Sequence, residues 1–290
     1  MVISATRPLY WSVRRELWEN RSIYIAPLAV AGVTLFGFLI STIHLPAKMR
    51  AALVLDPMQQ RELIKQPFDF AALLLMGTTL IVGVFYCLDA LHGERRDRSI
   101  LFWKSLPVSD LTTVLSKASI PLVVLPLLTF AITIAMQWIM LLFGSAVLLG
   151  SGLSVAALWQ LPWFQMSLGL LFHILAVHGF YYAPIYGWLL LISGWARRAA
   201  FLWASLPLVA ICVVEKIAFN TSHFGAVLLS RFGGGAETAP FPMPREGAIH
   251  SLTHFAPLHF LSGAGLWIGL VFCAAFLAAA VRLRRCQGPI

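Results

Sequence analysis

The side chains able to do chemistry fall in three groups. The densest is the stretch from His92 to Asp110: Glu94, Arg95, Arg96, Asp97 and Arg98, then Ile100, Leu101, Phe102, Trp103 and Lys104, then Leu106-Pro107-Val108-Ser109. Proton-transfer chemistry needs acids, bases or a metal set converging on one point. Here only Asp89, His92, Glu94 and Asp97 come near that description, and they form no recognisable catalytic set. Charges beside four consecutive apolar residues fit a docking surface better, with the charges orienting a partner and the apolar knob supplying buried contact. The competing reading lays the same residues on a membrane surface, with the arginines on lipid headgroups.

The second group lies inside apolar runs: Gln137, His173, His178, Tyr181, Tyr182, Tyr186, Glu215 and Lys216. Polar groups in hydrocarbon are costly, so they line a cavity or bond between helices. Gln137, His173, His178, Tyr182, Tyr186 and Glu215 are the candidates for a substrate cavity. Glu215 and Lys216 are adjacent, point apart on a helix and do not pair well. The third group is His250, His254 and His259, with Glu246 nearby. A metal site needs three or four convergent ligands, and this set falls short, so no metal is expected. A nucleotide-binding loop of the Gly-x-x-x-x-Gly-Lys-Ser/Thr type is also missing, since the chain has no Gly-Lys dipeptide. No cofactor is expected on this chain.

The elements that must position these residues follow from composition. Of 290 residues, 59% are hydrophobic and 11% charged, against about 25% charged in a soluble domain. The apolar residues gather in runs long enough to cross hydrocarbon as helices, which takes roughly 20 residues. Six spans are predicted, at Ser22–Ile43, Phe68–Ala90, Ala118–Leu149, Gln165–Trp195, Ala199–Phe219 and Leu261–Val281. The predicted fold class is an all-α integral membrane protein in one transmembrane domain. Pro121, Pro126 and Pro184 are the expected kink points. Trp159 and Trp163 mark 151–164 as an interfacial connection. Residues 220–260, rich in glycine and proline, are expected to form an extracytoplasmic loop; Asn220-Thr221-Ser222 within it matches a glycosylation acceptor.

The net charge of +9 would point to nucleic acid in a soluble protein. Here the basic residues sit in short connections, so they read as a topology signal and no nucleic acid partner is expected. Fourteen Lys and Arg fall on the side carrying both termini and six on the other. The termini are therefore expected in the cytoplasm, with the chain in the cell (inner) membrane. No cleaved signal peptide is expected. The four cysteines form no close pair, so neither a disulfide framework nor a zinc site is expected. Before the first span, residues 1–21 are expected to form an interfacial helix. Its segment from Arg7 to Arg21 gathers Tyr10, Trp11, Val13, Leu17 and Trp18 on one face, and Arg15, Glu16 and Glu19 on the other. Arg14 and Arg21 intrude on the apolar face and must snorkel. This is either a helix on the membrane surface or a simple topogenic anchor.

The stretch from Leu91 to Lys117, with its Glu-Arg pair, short apolar helix, Leu-Pro-Val-Ser and following lysine, resembles the cytoplasmic loop of ABC-2 type transporter permeases. The layout of an N-terminal amphipathic helix and six spans is similar over nearly the whole chain. That resemblance implies a cytoplasmic coupling helix between spans 2 and 3, docked on a separate ABC ATPase subunit. Glu94, Arg95, Arg96, Asp97, Arg98, Ile100, Leu101, Phe102, Trp103 and Lys104 would form or adjoin the coupling interface. It also implies a second permease copy or homologue, and export as the direction of transport. A membrane enzyme acting on lipid-linked substrates, and a secondary carrier or scaffold, are the alternatives.

Overall fold

The computed structural model describes residues 6–52, 54–105, 108–232, 264–286 and 288. Among them the elements are helical throughout. They are α1 (Thr6–Glu19), α2 (Ser22–Ser41), α3 (Leu45–Ala52), α4 (Pro57–Ala90), α5 (His92–Arg96), α6 (Ser99–Ser105), α7 (Asp110–Ser119) and α8 (Leu125–Gly150). After these come α9 (Ala156–Trp159), α10 (Trp163–Ile174), α11 (Ala183–Trp195), α12 (Ala200–Phe219), α13 (His223–Phe232) and α14 (Ala264–Cys286). A 3-10 turn (Thr42–His44) joins α2 to α3. Two π-helical segments, Ile120–Val124 and Leu175–Tyr181, continue α7 and α10.

Among the described residues, six stretches are long and apolar enough to cross a membrane: Ser22–Ala52, Pro57–Arg96, Asp110–Gly150, Trp163–Tyr181, Ala200–Phe219 and Gly265–Cys286. The run expected as one fourth span, Gln165–Trp195, is broken at Tyr182, whose amide donates to Val177 O (2.9 Å) five residues back. Pro184 lies two residues on and has no amide to continue the ladder. The two pieces nevertheless descend α4 in one direction. Trp163 stacks edge-on against Phe68 (4.9 Å), Tyr186 packs over Gly83, and Ser193 meets the amides of Leu91 and His92. Pro121 lies inside the first π segment, as a kink point should, whereas Pro126 sits at the start of α8 and leaves it unbroken. The two π segments face each other so closely that a Cβ on Gly179 would stand 3.1 Å from Leu122 O.

Helix α4 begins eleven residues before the expected start of the second span. At 1.5 Å per residue that is about 16 Å of helix beyond the apolar run. The two largest of four core clusters among the described residues hold opposite ends of the bundle. One, around Ile23, Cys87, Ile120, Tyr182, Tyr186 and Leu190, lies toward the termini. The other, around Phe68, Leu75, Met136, Met140 and Leu148, lies toward the opposite end. In the connection 151–164, Trp159 Nε1 donates to Ser145 Oγ (3.2 Å) and Trp163 Nε1 to Leu158 O (3.0 Å). Helix α12 buries only Ala200 and Ala204 and leaves Phe201, Leu206, Val209 and Ile217 exposed, as expected of a helix whose solvent is lipid.

The start of the expected extracytoplasmic loop folds back as α13. Its last turn places the Arg231 guanidinium over the Tyr181 ring (4.7 Å) and donates from Nη2 to Gly265 O. A Cβ on Gly269 would stand 2.7 Å from Arg231 Nη1, so glycine there leaves room for the cation. Residues 233–263, with Glu246, His250, His254 and His259, lie outside the described residues.

Candidate functional site

The loop between the second and third spans is built from its root outward. Where α4 ends, Ser193 Oγ of α11 accepts from the amides of Leu91 (3.0 Å) and His92 (2.9 Å). Arg95 returns the contact. Its Nη1 donates to Gly194 O (2.6 Å) and Ala196 O (3.4 Å), and its Nε to Gly288 O (3.3 Å). These carbonyls at the end of α11 have no helical partner of their own, and a guanidinium is suited to them. Arg98, at φ 58°, turns the chain from α5 into α6.

Beneath this loop lies a buried ionic network. Glu94, 8% exposed, receives Arg15 Nη2 (3.2 Å) and Lys117 Nζ (3.1 Å) on Oε1, and Arg284 Nη1 on Oε2. Arg284 Nε also reaches Asp110 Oδ1 (3.1 Å). Glu16, with its side chain 0% exposed, receives Lys117 Nζ (2.9 Å), Arg15 Nη2 (2.6 Å) and the Tyr86 hydroxyl (2.8 Å). Three carboxylates thus face three cations, from α1, α5, α7 and the end of α14. Breaking one member of such a network leaves a buried charge and costs about 3–5 kcal/mol. Burial by itself would raise the Glu16 pKa, but Lys117 and then Arg15 outweigh it and hold the carboxyl below the ordinary value.

The candidate coupling residues therefore divide. Glu94, Arg95 and Ile100 (2% exposed) are roots inside the protein. Trp103 is half-buried, its ring 3.8 Å beneath the Arg15 guanidinium. Leu101 and Phe102 (each 59% exposed) and Lys104 face outward, with Arg96, Asp97 and Arg98 beside them. The expected four-residue apolar knob is thus two residues wide, because a helix about two turns long points Ile100 and Trp103, three residues apart, back toward the bundle. Arg96 pairs with Asp97 (3.2 Å) and Asp89 (3.7 Å) on the surface. The acid–base set considered for catalysis is dispersed: Glu94 is consumed by the network, His92 Nδ1 lies 3.2 Å from Ala196 O, and the two aspartates sit on Arg96.

The candidate cavity residues are brought together only in part. His178, Tyr182 and Tyr186 form a buried column with edge-on rings, 5.2 Å and 6.4 Å between centroids, and His173 is buried above them. Among the described residues, neither His178 nitrogen nor the Tyr186 hydroxyl has a hydrogen-bond partner. Gln137 lies apart, its Nε2 3.4 Å from Phe68 O. Glu215 caps a turn, accepting from Thr221 Oγ1 (3.0 Å) and from the amides of His223 (2.6 Å) and Phe224 (2.9 Å). Its carboxylate is engaged by α13.

Sequence reasoning had no role for Glu16, Tyr86, Lys117, Asp110 or Arg284 in this site. Lys117 and Arg284 read as topology charges and Glu16 as part of a polar helix face. The available signal was a carboxylate on the N-terminal segment, Glu16, just after Arg14 and Arg15, and another, Glu94, just past the second span and just before Arg95 and Arg96. No protein-family model, curated protein or solved structure matches the chain.

Proposed function

We propose that this chain is the transmembrane subunit of an ATP-driven ABC-2 type exporter, paired with a second permease and with separate ATPase subunits that carry ATP and Mg. The observation that carries the reading is the rooted surface of α5 and α6. Leu101 and Phe102 stand outside the bundle within a ring of charge, while Glu94 and Arg95, a few residues away, reach α1, α7, α11 and α14. A push on such a surface is delivered to several spans at once, which is what a motor acting from outside the membrane requires. Helix α1 lies on the membrane surface in this reading, with Arg14 stacked over Trp11 and Trp18 (5.2 Å and 4.7 Å) as a snorkelling cation would be. The terminus-bearing end faces the cytoplasm of a cell (inner) membrane, where its basic residues are concentrated.

The test is to purify the chain in mild detergent with its copurifying proteins, as wild type and as Leu101→Ala/Phe102→Ala. The wild type is expected to bring an ATPase and to stimulate its turnover. The double variant loses at least tenfold of that stimulation, with thermal stability within about 0.5 kcal/mol of wild type because both side chains are exposed. Recovery of the chain with no ATPase, or full stimulation by the double variant, overturns the reading.

A further inference from the structure

At the end of the bundle opposite the termini, α2, α3, α4 and α8 enclose a groove of about 580 Å³, within the range of small-molecule sites. Its walls are apolar, with Phe38, Met49, Leu63, Phe68 and Met140 among them, and among the described residues Lys48 is the one ionic side chain in its lining. We propose that this groove binds one anionic phospholipid, with an acyl chain against Phe38, Phe68 and Met140 and the headgroup phosphate at Lys48.

Three observations place that occupant. The first is depth. On α4 the groove runs from Leu63 to Phe70, across the point where the charged first turns of the helix give way to its apolar run. That is the level at which an amphiphile changes from headgroup to tail. The second is charge. Helix α3 carries Lys48 and Arg50 and no carboxylate, and the nearby Lys65 is already paired with Asp69 (3.4 Å). Lys48 is exposed and lines the groove, so it is placed to meet a phosphate from outside. The third is exposure. Leu55, Leu63 and Phe70 line the groove yet remain 41%, 38% and 58% exposed, so the groove opens sideways, toward the lipid around the bundle. A soluble ligand would enter against the hydrocarbon, whereas a membrane lipid is already there. The inference does not rest on the proposed ATPase partnership.

The experiment uses the full chain in nanodiscs of phosphatidylcholine containing a minority of phosphatidylglycerol, followed by native mass spectrometry of retained lipid. Wild type is expected to retain one phosphatidylglycerol in preference to phosphatidylcholine. Lys48→Gln lowers that preference about fivefold, the factor expected for one lysine near an anionic surface, and leaves phosphatidylcholine retention unchanged. Leu55→Gln/Leu63→Gln, at two exposed positions that do not burden folding, lowers retention of both lipids. Unchanged preference in Lys48→Gln overturns the proposal, as does unchanged retention in the double variant. So does a Leu63→Cys variant of the cysteine-free chain that cross-links two copies in the same nanodiscs, since the occupant would then be a second permease.

Discussion

Glu16 and Glu94 are carboxylates removed from water, and each is tolerated because two or three cations reach it. Their value is therefore conditional on partners that are far apart in sequence, such as Lys117 for Glu16. Lys117→Ala is expected to destabilise the folded chain by about 3–5 kcal/mol, measured by denaturant titration in mild detergent. Lys117→Ala/Glu16→Gln should recover part of that loss, because the second change removes the charge the first leaves stranded; a double-mutant cycle gives the coupling. The same pair sets a pH dependence. Glu16 titrates below its ordinary value of 4.5 when folded, so its stabilisation is present above that value and is lost as pH falls through the lower folded pKa. Thermal unfolding should therefore begin to move to lower temperature below about pH 4.5, and Glu16→Gln should flatten that part of the curve.

Elements are arranged here by how each chain reversal satisfies its backbone. The end of α4 is held by Ser193 and Arg95, and the turn from α12 to α13 by Glu215, whose carboxylate takes two amides at the start of α13. Such caps decide whether a short helix forms. Glu215→Ala is expected to speed amide hydrogen exchange across 223–232 roughly tenfold, by loss of the cap, while exchange in α10 and α11 stays as it was. If Glu215 served a substrate cavity instead, exchange would not change and transport would fail alone. The break at Tyr182 and the two facing π segments belong to the same scale. Apolar periodicity gave one long run from Gln165 to Trp195, because hydropathy records which residues prefer lipid and is silent on a change from i−4 to i−5 bonding.

For the whole molecule, the ionic network is the place where the first helix, the loop after α4, the start of the third span and the last turn of the chain meet. Removing residues 1–21 takes Arg15 and Glu16 away together, leaves Lys117 with Glu94 alone, and opens the network to water on the side that α1 covers. Hydrogen exchange in α5, α6, α7 and the last turn of α14 should quicken by at least tenfold, with the far ends of α4 and α8 unaffected. Equal exchange throughout would mean that these elements are held by apolar packing alone and share no common root, and the transmission argued for the α6 surface would lose its basis.

Six helices long and apolar enough to cross a membrane were legible in the amino-acid sequence because a bilayer imposes length and apolarity on each span independently of its neighbours. The asymmetry of Lys and Arg and the unusual loop after the second span were legible for the same reason, being properties of contiguous residues. Which members of that loop face outward was not. Ile100 and Phe102 are two residues apart and similar in chemistry, yet one is buried and the other exposed, because α6 is fixed by Glu94 and Arg95 through partners up to 193 residues away. The pairing of Glu16 with Lys117, the capping role of Glu215 and the groove beside Lys48 were likewise decided by tertiary structure. Each depends on the distance between side chains from different helices, and that distance is set only when the helices pack.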